Sequence, residues 1–277
     1  MTAKKYLIGL ALLVGAFVST STRAQQAAPA PQPSLEYQAG GVLYMQKAAE
    51  YRALAYQAFN VARMQLDADF DKKNLKGLPK AARKMPRAIV LDIDETMLDN
   101  SPAQALGIKT NTPYNPADWY KWSKLEKAKP VPGAVDFVNY AISKGVKVFY
   151  ISNRDQKVEG EATLANMTKI GFKDVSPETL LLKTTESAKA ARRGLVSAKY
   201  RIVLLVGDNL DDFSEVFEKK PITERFAETD LVKEQWGKKF IVLPNTMYGS
   251  WENAIYEYQR LNEAQKAEKR AAALELP

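Results

Sequence analysis

The sequence predicts an α/β fold: a Rossmann-like parallel sheet of five strands with helices on both faces, joined to a smaller, mostly helical unit. Two observations carry this prediction. First, five short runs are dominated by consecutive apolar residues: Arg87 to Leu91, Val146 to Ile151, Thr179 to Leu182, Arg201 to Val206 and Lys239 to Leu243. Unbroken rather than alternating hydrophobicity marks strands buried on both faces. Second, helical patterns separate these runs, and strands that alternate with helices imply a parallel sheet.

The elements follow in order along a chain of 277 residues, enough for one sizeable core or a core plus a small second unit. Lys4 and Lys5 precede an apolar stretch from Tyr6 to Val18, and Thr22-Arg23-Ala24 places small residues at a cleavage site. The stretch is short for a membrane span, so residues 1–24 read as a signal peptide cut after Ala24. A retained N-terminal anchor is the alternative. Residues 25–85 comprise an Ala/Gln/Pro-rich flexible leader and the N-terminal helix of the small unit, with Ser34 as its N-cap. Tyr44, Ala48, Tyr51, Ala55, Phe59, Ala62 and Leu66 recur every three or four residues, the spacing of one face of a long helix. Lys72 to Lys84 reads as a linker. Residues 86–250 form the core, with a cap insertion at 101–129 after the first strand. Helices are predicted over Gly133 to Ser143, Val158 to Ile170, Glu186 to Ser197 and Leu210 to Phe217, and a C-terminal helix over 251–277.

Composition removes whole classes of chemistry. The chain has no histidine, which excludes a Ser-His-Asp triad, a phosphohistidine and His-ligated zinc. It has no cysteine, which excludes thiol catalysis, disulfides and a lipid-modified N-terminal cysteine. The net charge of +8 falls to +5 once the leader's three cations are removed, and it is dispersed. Such a field favours small anionic substrates but gives no stripe or motif for a nucleic-acid polymer.

The polar groups at the strand ends carry the chemistry. Asp92-Ile93-Asp94-Glu95-Thr96 follows the first strand, Ser152-Asn153-Arg154 the second and Gly207-Asp208-Asn209-Leu210-Asp211-Asp212 the fourth. In a parallel sheet these groups meet at the carboxyl edge, where ligands bind. Converging carboxylates repel unless a cation lies between them. Oxygen donors without histidine or cysteine point to Mg2+.

These runs resemble the haloacid dehalogenase superfamily, and Asp92 to Ser101 in particular resembles the first motif of bacterial class C acid phosphatases. Tyr51 to Ala58 and Pro244 to Glu252 also resemble that group. The resemblance implies a phosphomonoesterase, an acid phosphatase of 5′-nucleotidase type, acting through an aspartyl-phosphate. It implies Asp92 as nucleophile and Asp94 as acid and base. It implies Mg2+ held by Asp92, the Asp94 backbone carbonyl, Asp208 and Asp212, and phosphate bound by Ser152, Asn153 and a lysine. Lys189 fits the setting of that lysine, with Lys183 as the competing choice. Tyr114 and Tyr248 either clamp a planar base at the mouth of the site or pack the small unit. Nucleoside monophosphates are the expected substrates. Nicotinamide mononucleotide, a flavin phosphate or pyridoxal phosphate is the alternative, as is a non-catalytic storage protein, although relatives of that kind lose the nucleophile that Asp92 supplies. The expected location is periplasmic or secreted, with no transmembrane span in the mature form.

Overall fold

The computed structural model describes residues 34–277. The predicted leader and the stretch at 25–33 lie outside them. Among the described residues seven strands occur: β1 (Arg87–Leu91), β2 (Leu98–Asp99), β3 (Lys129–Pro130), β4 (Lys147–Asp155), β5 (Leu180–Lys183), β6 (Arg201–Gly207) and β7 (Phe240–Val242). Five make one sheet in the order β5-β4-β1-β6-β7, every pair parallel. The chain builds outward from β1 to one side and then returns to build the other side, so the order reverses beside β1. That reversal opens a crevice at the carboxyl ends of β1 and β6.

Both faces of the sheet are buried, as its apolar runs require. Ile89 and Leu91 point into one cluster with Val148, Leu204 and Val206, covered by the helices Ala49–Phe70, Ala134–Ser143 and Gln156–Lys169. Ala88 and Val90 point the other way, toward Val196 of the helix Ala190–Ser197 and toward Phe213. Strand alternation thus divides one apolar run between two cores. At the amino edge Asp69 ties the sheet to its covering helix. Its carboxylate lies 2.6 Å from Arg87 Nε and 2.6 Å from both terminal nitrogens of Arg201. Arg87 and Arg201 are register partners on β1 and β6, so without Asp69 two half-buried guanidinium groups face each other unpaired. Asp69→Ala is expected to cost about 2–3 kcal/mol. The measurement is the urea midpoint at constant m-value, with activity per folded molecule unchanged.

A third apolar cluster joins Val42, Met45, Tyr51 and Met247, with Ala105 and Ile108 packed against it. It gathers the N-terminal helix, the insertion and the segment after β7. Within it Gly41 lies against the Thr246 backbone, where a Cβ would collide, and Thr246 Oγ1 donates to the Gly41 carbonyl at 2.8 Å. The insertion folds as two helices, Ser101–Thr110 and Pro116–Ser123, closed by antiparallel pairing of β2 with β3.

Four expectations on local structure are corrected. The long N-terminal helix is two, Ala39–Lys47 and Ala49–Phe70, separated by Ala48 in an extended conformation. The first piece packs on the insertion and the second on the sheet, so the chain must turn between them. Leu210 to Phe217 forms two 3-10 turns, because Asn209 and Ser214 each cap a separate start. The helix predicted from Glu186 begins only at Ala190. The C-terminal region is not one helix but Ser250–Ile255 and Glu263–Ala272, interrupted by the left-handed residues Glu257 and Tyr258. Asn262 and Gln265 restart it with a reciprocal capping box.

Candidate active site

The carboxyl end of β1 delivers Asp92, whose N–H continues the ladder to the Val206 carbonyl at 2.9 Å. The chain then closes tightly: Met97 and Leu98 both donate to the Ile93 carbonyl at 2.8 Å, and Glu95 takes a left-handed conformation with φ 60°. This turn projects Asp92 and Asp94 into the crevice and swings Glu95 inward. The buried Glu95 carboxylate accepts from Asn100 N at 2.7 Å and from the Tyr248 hydroxyl. Burial, reinforced by Asp94 and Asp208, pushes the Glu95 carboxyl well above the usual range.

β6 delivers Asp208, and the capped turn after it returns Asp212 beneath Gly207. A side chain at Gly207 would run into Asp212, so only glycine permits this approach. Asp212 Oδ2 accepts from Asn209 N at 3.0 Å, and Asp208 accepts from Thr96 Oγ1 at 3.0 Å and Asn245 Nδ2 at 2.9 Å. One carboxylate oxygen from each of Asp92, Asp208 and Asp212 lies within 4.8 Å of the others. Lys189, buried at the start of its helix, places Nζ against Asp92 Oδ1 and 2.6 Å from Asp212 Oδ1. One ammonium does not neutralise three carboxylates. Burial raises the Asp92 carboxyl well above its usual range against the pull of Lys189, and Asp212 and Asp208 raise it further. Burial and Asp212 push Asp208 up to about 7. Burial opposes the charge on Lys189, but Asp212 and Asp92 outweigh it and hold its pKa above the ordinary value. An oxygen-only site with surplus negative charge and convergent carboxylates fits a divalent cation.

Across the crevice Asp94 is held differently. Its Oδ1 takes Arg154 Nε at 2.9 Å and Asn100 Nδ2 at 2.9 Å, while Ser152 Oγ donates to Oδ2 at 3.1 Å. Arg154 is buried and reaches on to Thr163 and Asn100, and the Trp122 indole donates to Asn100 Oδ1 at 2.9 Å.

The family model of the HAD superfamily, subfamily IIIB (acid phosphatase), matches residues 4–251. The chain belongs to that family. It is an acid phosphatase, a phosphomonoesterase of the haloacid dehalogenase superfamily. Its fold matches the structure of the class C acid phosphatase from Bacillus anthracis with a TM-score of 0.80 and 40% identity, over 87% of this chain and 98% of that one. A second structure of the Bacillus enzyme, with tungstate bound, matches with the same TM-score of 0.80, identity of 40% and coverage of 87% and 98%.

In this phosphatase a cleft of about 1550 Å3 runs from the carboxylates outward between the insertion and the C-terminal segment. Asp92, Asp94, Asn153, Lys189, Asp208 and Asp212 all line it. Ser152 lies just beneath, fully buried. Asn153 Oδ1 is engaged by Arg192 at 2.7 Å. Lys183 ends β5 outside the cleft lining, so Lys189 is the lysine that meets Asp92. Tyr114 and Tyr248 both stand on the cleft wall. Tyr114 is 71% exposed with its ring 6.4 Å from Trp119, whereas Tyr248 is half-buried and tethered through its hydroxyl to Glu95. Reading the strand ends alone passes over Asn100, Asn245 and the part played by Arg154. Asn100 and Arg154 lie inside the quoted motifs, but nothing in their spacing shows that both converge on Asp94.

Proposed function

We propose that this acid phosphatase is a secreted, Mg2+-dependent enzyme that hydrolyses nucleoside monophosphates through an aspartyl-phosphate on Asp92. The observation that supports the reading best is the pairing of two unlike carboxylates at one crevice. Asp92 sits among Asp208, Asp212 and Lys189, while Asp94 faces it from a cradle of neutral and cationic donors.

That asymmetry suits a division of labour. Asp92 attacks phosphorus, forming the Asp92–phosphorus bond as the bond to the ester oxygen breaks. Asp94 passes a proton to the departing oxygen through Oδ2, the oxygen that Ser152 alone touches, while Arg154 and Asn100 fix Oδ1. Asp94 then takes a proton from water, which attacks phosphorus and frees Asp92 and inorganic phosphate. Lys189 donates to the phosphoryl oxygens, with Ser152 and Asn153 beside it, and offsets their growing charge. Mg2+, held by Asp92, Asp208, Asp212 and the Asp94 carbonyl, would supply further charge neutralisation at the phosphoryl group. Tyr114 and Tyr248 offer aromatic surface for a nucleobase. Export rests on the sequence of the leader at 1–24, with its Lys4, Lys5 and apolar run from Tyr6 to Val18; among the described residues no helix is long and apolar enough to cross a membrane.

The test is a panel of phosphoesters with the mature protein, with and without chelator. Phosphate release from nucleoside monophosphates should fall at least about 100-fold on chelation and return with Mg2+. Turnover indifferent to chelator would sink the metal, and a preference for flavin or pyridoxal phosphate would sink the nucleotide assignment. Metal affinity should also depend on pH. With Asp208 near 7 and Asp92 raised as well, binding displaces protons below that pH, so apparent Mg2+ affinity weakens by about tenfold or more per unit of acidification. Calorimetry in two buffers of different ionisation enthalpy measures the released proton.

A further inference from the structure

The cleft is acidic at its inner end, yet its substrate is an anion. Six lysines and arginines line it. Lys121, Arg154, Lys189 and Lys266 are each committed to a carboxylate in an ion pair. Lys219 and Arg260 are different: both are exposed, and among the described residues neither side chain makes a hydrogen bond or an ion pair. Glu218, next to Lys219, feels its charge without pairing to it.

Lys219 and Arg260 sit on two turns that both line the cleft. Lys219 sits in a turn at φ 52°, and Arg260 follows the left-handed pair Glu257 and Tyr258 that breaks the C-terminal helix. The Tyr258 hydroxyl donates to the Lys220 carbonyl at 3.1 Å, which fastens one turn to the other. The break in the helix therefore carries a free guanidinium to the cleft, on a turn bonded to the one that carries the free ammonium. Guanidinium and ammonium groups with no internal partner keep all their donors for a ligand, and phosphate is the anion that uses them best.

We propose that Lys219 and Arg260 form a second anion subsite at the rim, and that the enzyme favours phosphomonoesters bearing a second phosphate remote from the one it removes. The inference rests on the reading of the Asp92 site as the place of hydrolysis. The first phosphate engages the inner carboxylate and lysine cluster, and the second meets the rim cations.

Steady-state kinetics on a nucleoside 3′,5′-bisphosphate, the matching 5′-monophosphate and p-nitrophenyl phosphate test this. The wild type should show the lower KM for the bisphosphate. Arg260→Ala and Lys219→Ala should each raise that KM about three- to fivefold, leaving kcat and both monophosphate KM values unchanged. Arg260→Lys should keep most of the preference, and added salt should erode it. Equal KM increases for all three esters would mean general steering and would overturn the subsite, as would an unchanged bisphosphate KM. A wild-type protein that hydrolyses p-nitrophenyl phosphate but shows no preference for the bisphosphate refutes the subsite alone. One that hydrolyses none of the three refutes the reading of the Asp92 site on which the subsite rests.

Discussion

Asp92→Asn is expected to remove phosphate release by roughly four orders of magnitude or more, because an amide cannot form the phosphoryl-enzyme. The substitution keeps the shape of the side chain, and the backbone bond from residue 92 to Val206 does not depend on its identity. The fold should survive intact. Without metal it should gain stability, since Asp92 is a buried carboxyl crowded by Asp208 and Asp212 and its neutral replacement relieves that repulsion. Lys189 keeps its bond to Asp212 in the variant. Three measurements check this: turnover, the chelated protein's urea midpoint, and acid-trapped phosphate on protein after substrate addition. Substantial turnover by the variant would eliminate the covalent route. A lower midpoint in chelator would contradict the account of crowding.

Much of this site was legible because the sheet is parallel. Its carboxyl edge collects whatever follows each strand, so Asp92, Ser152 and Asp208 could be brought together from strand order alone. The continuous apolar character of β1 and β6 made the strands visible, and burial on both faces explains that character. What escaped was set by contacts at long separation. Arg154 and Asn100 reach Asp94 from different elements, the end of β4 and the turn after β2, and no local pattern marks a side chain that turns inward rather than outward. The choice between Lys183 and Lys189 depended on the path of Thr184 to Ala188, which has no regular period to read. The break at Ala48 was hidden for a similar reason. Apolar spacing persists across it, with Tyr44 and Tyr51 still in edge contact, although the first helix packs on the insertion and most of the second on the sheet.

Lys189 gives the complementary test, because its removal should move stability in the direction opposite to that of Asp92→Asn. Lys189→Met is expected to lower kcat about 100- to 1,000-fold, the usual scale for losing one donor to a developing charge in a closed site. It also withdraws the ammonium that Asp92 and Asp212 share, leaving buried carboxylates unpaired. Breaking one side of such a buried pair costs about 3–5 kcal/mol. That cost depends on pH with a definite sign. The Asp92 and Asp208 carboxyls are already raised in the folded protein, so they take up protons as pH falls. Stability of the variant should therefore be retained at low pH and lost as pH rises through the raised pKa values of these carboxyls, which the loss of Lys189 moves further up. Mg2+ should restore part of it at neutral pH by replacing the missing positive charge, whereas it should stabilise Asp92→Asn far less, since that variant lacks one of the three carboxylates proposed to hold the metal. The measurements are urea midpoints of both variants at pH 5 and 8, with chelator and with Mg2+. If Lys189→Met unfolds no more easily at pH 8 than the wild type in chelator, Lys189 does not hold the carboxylates together, and its contact with Asp92 serves catalysis alone.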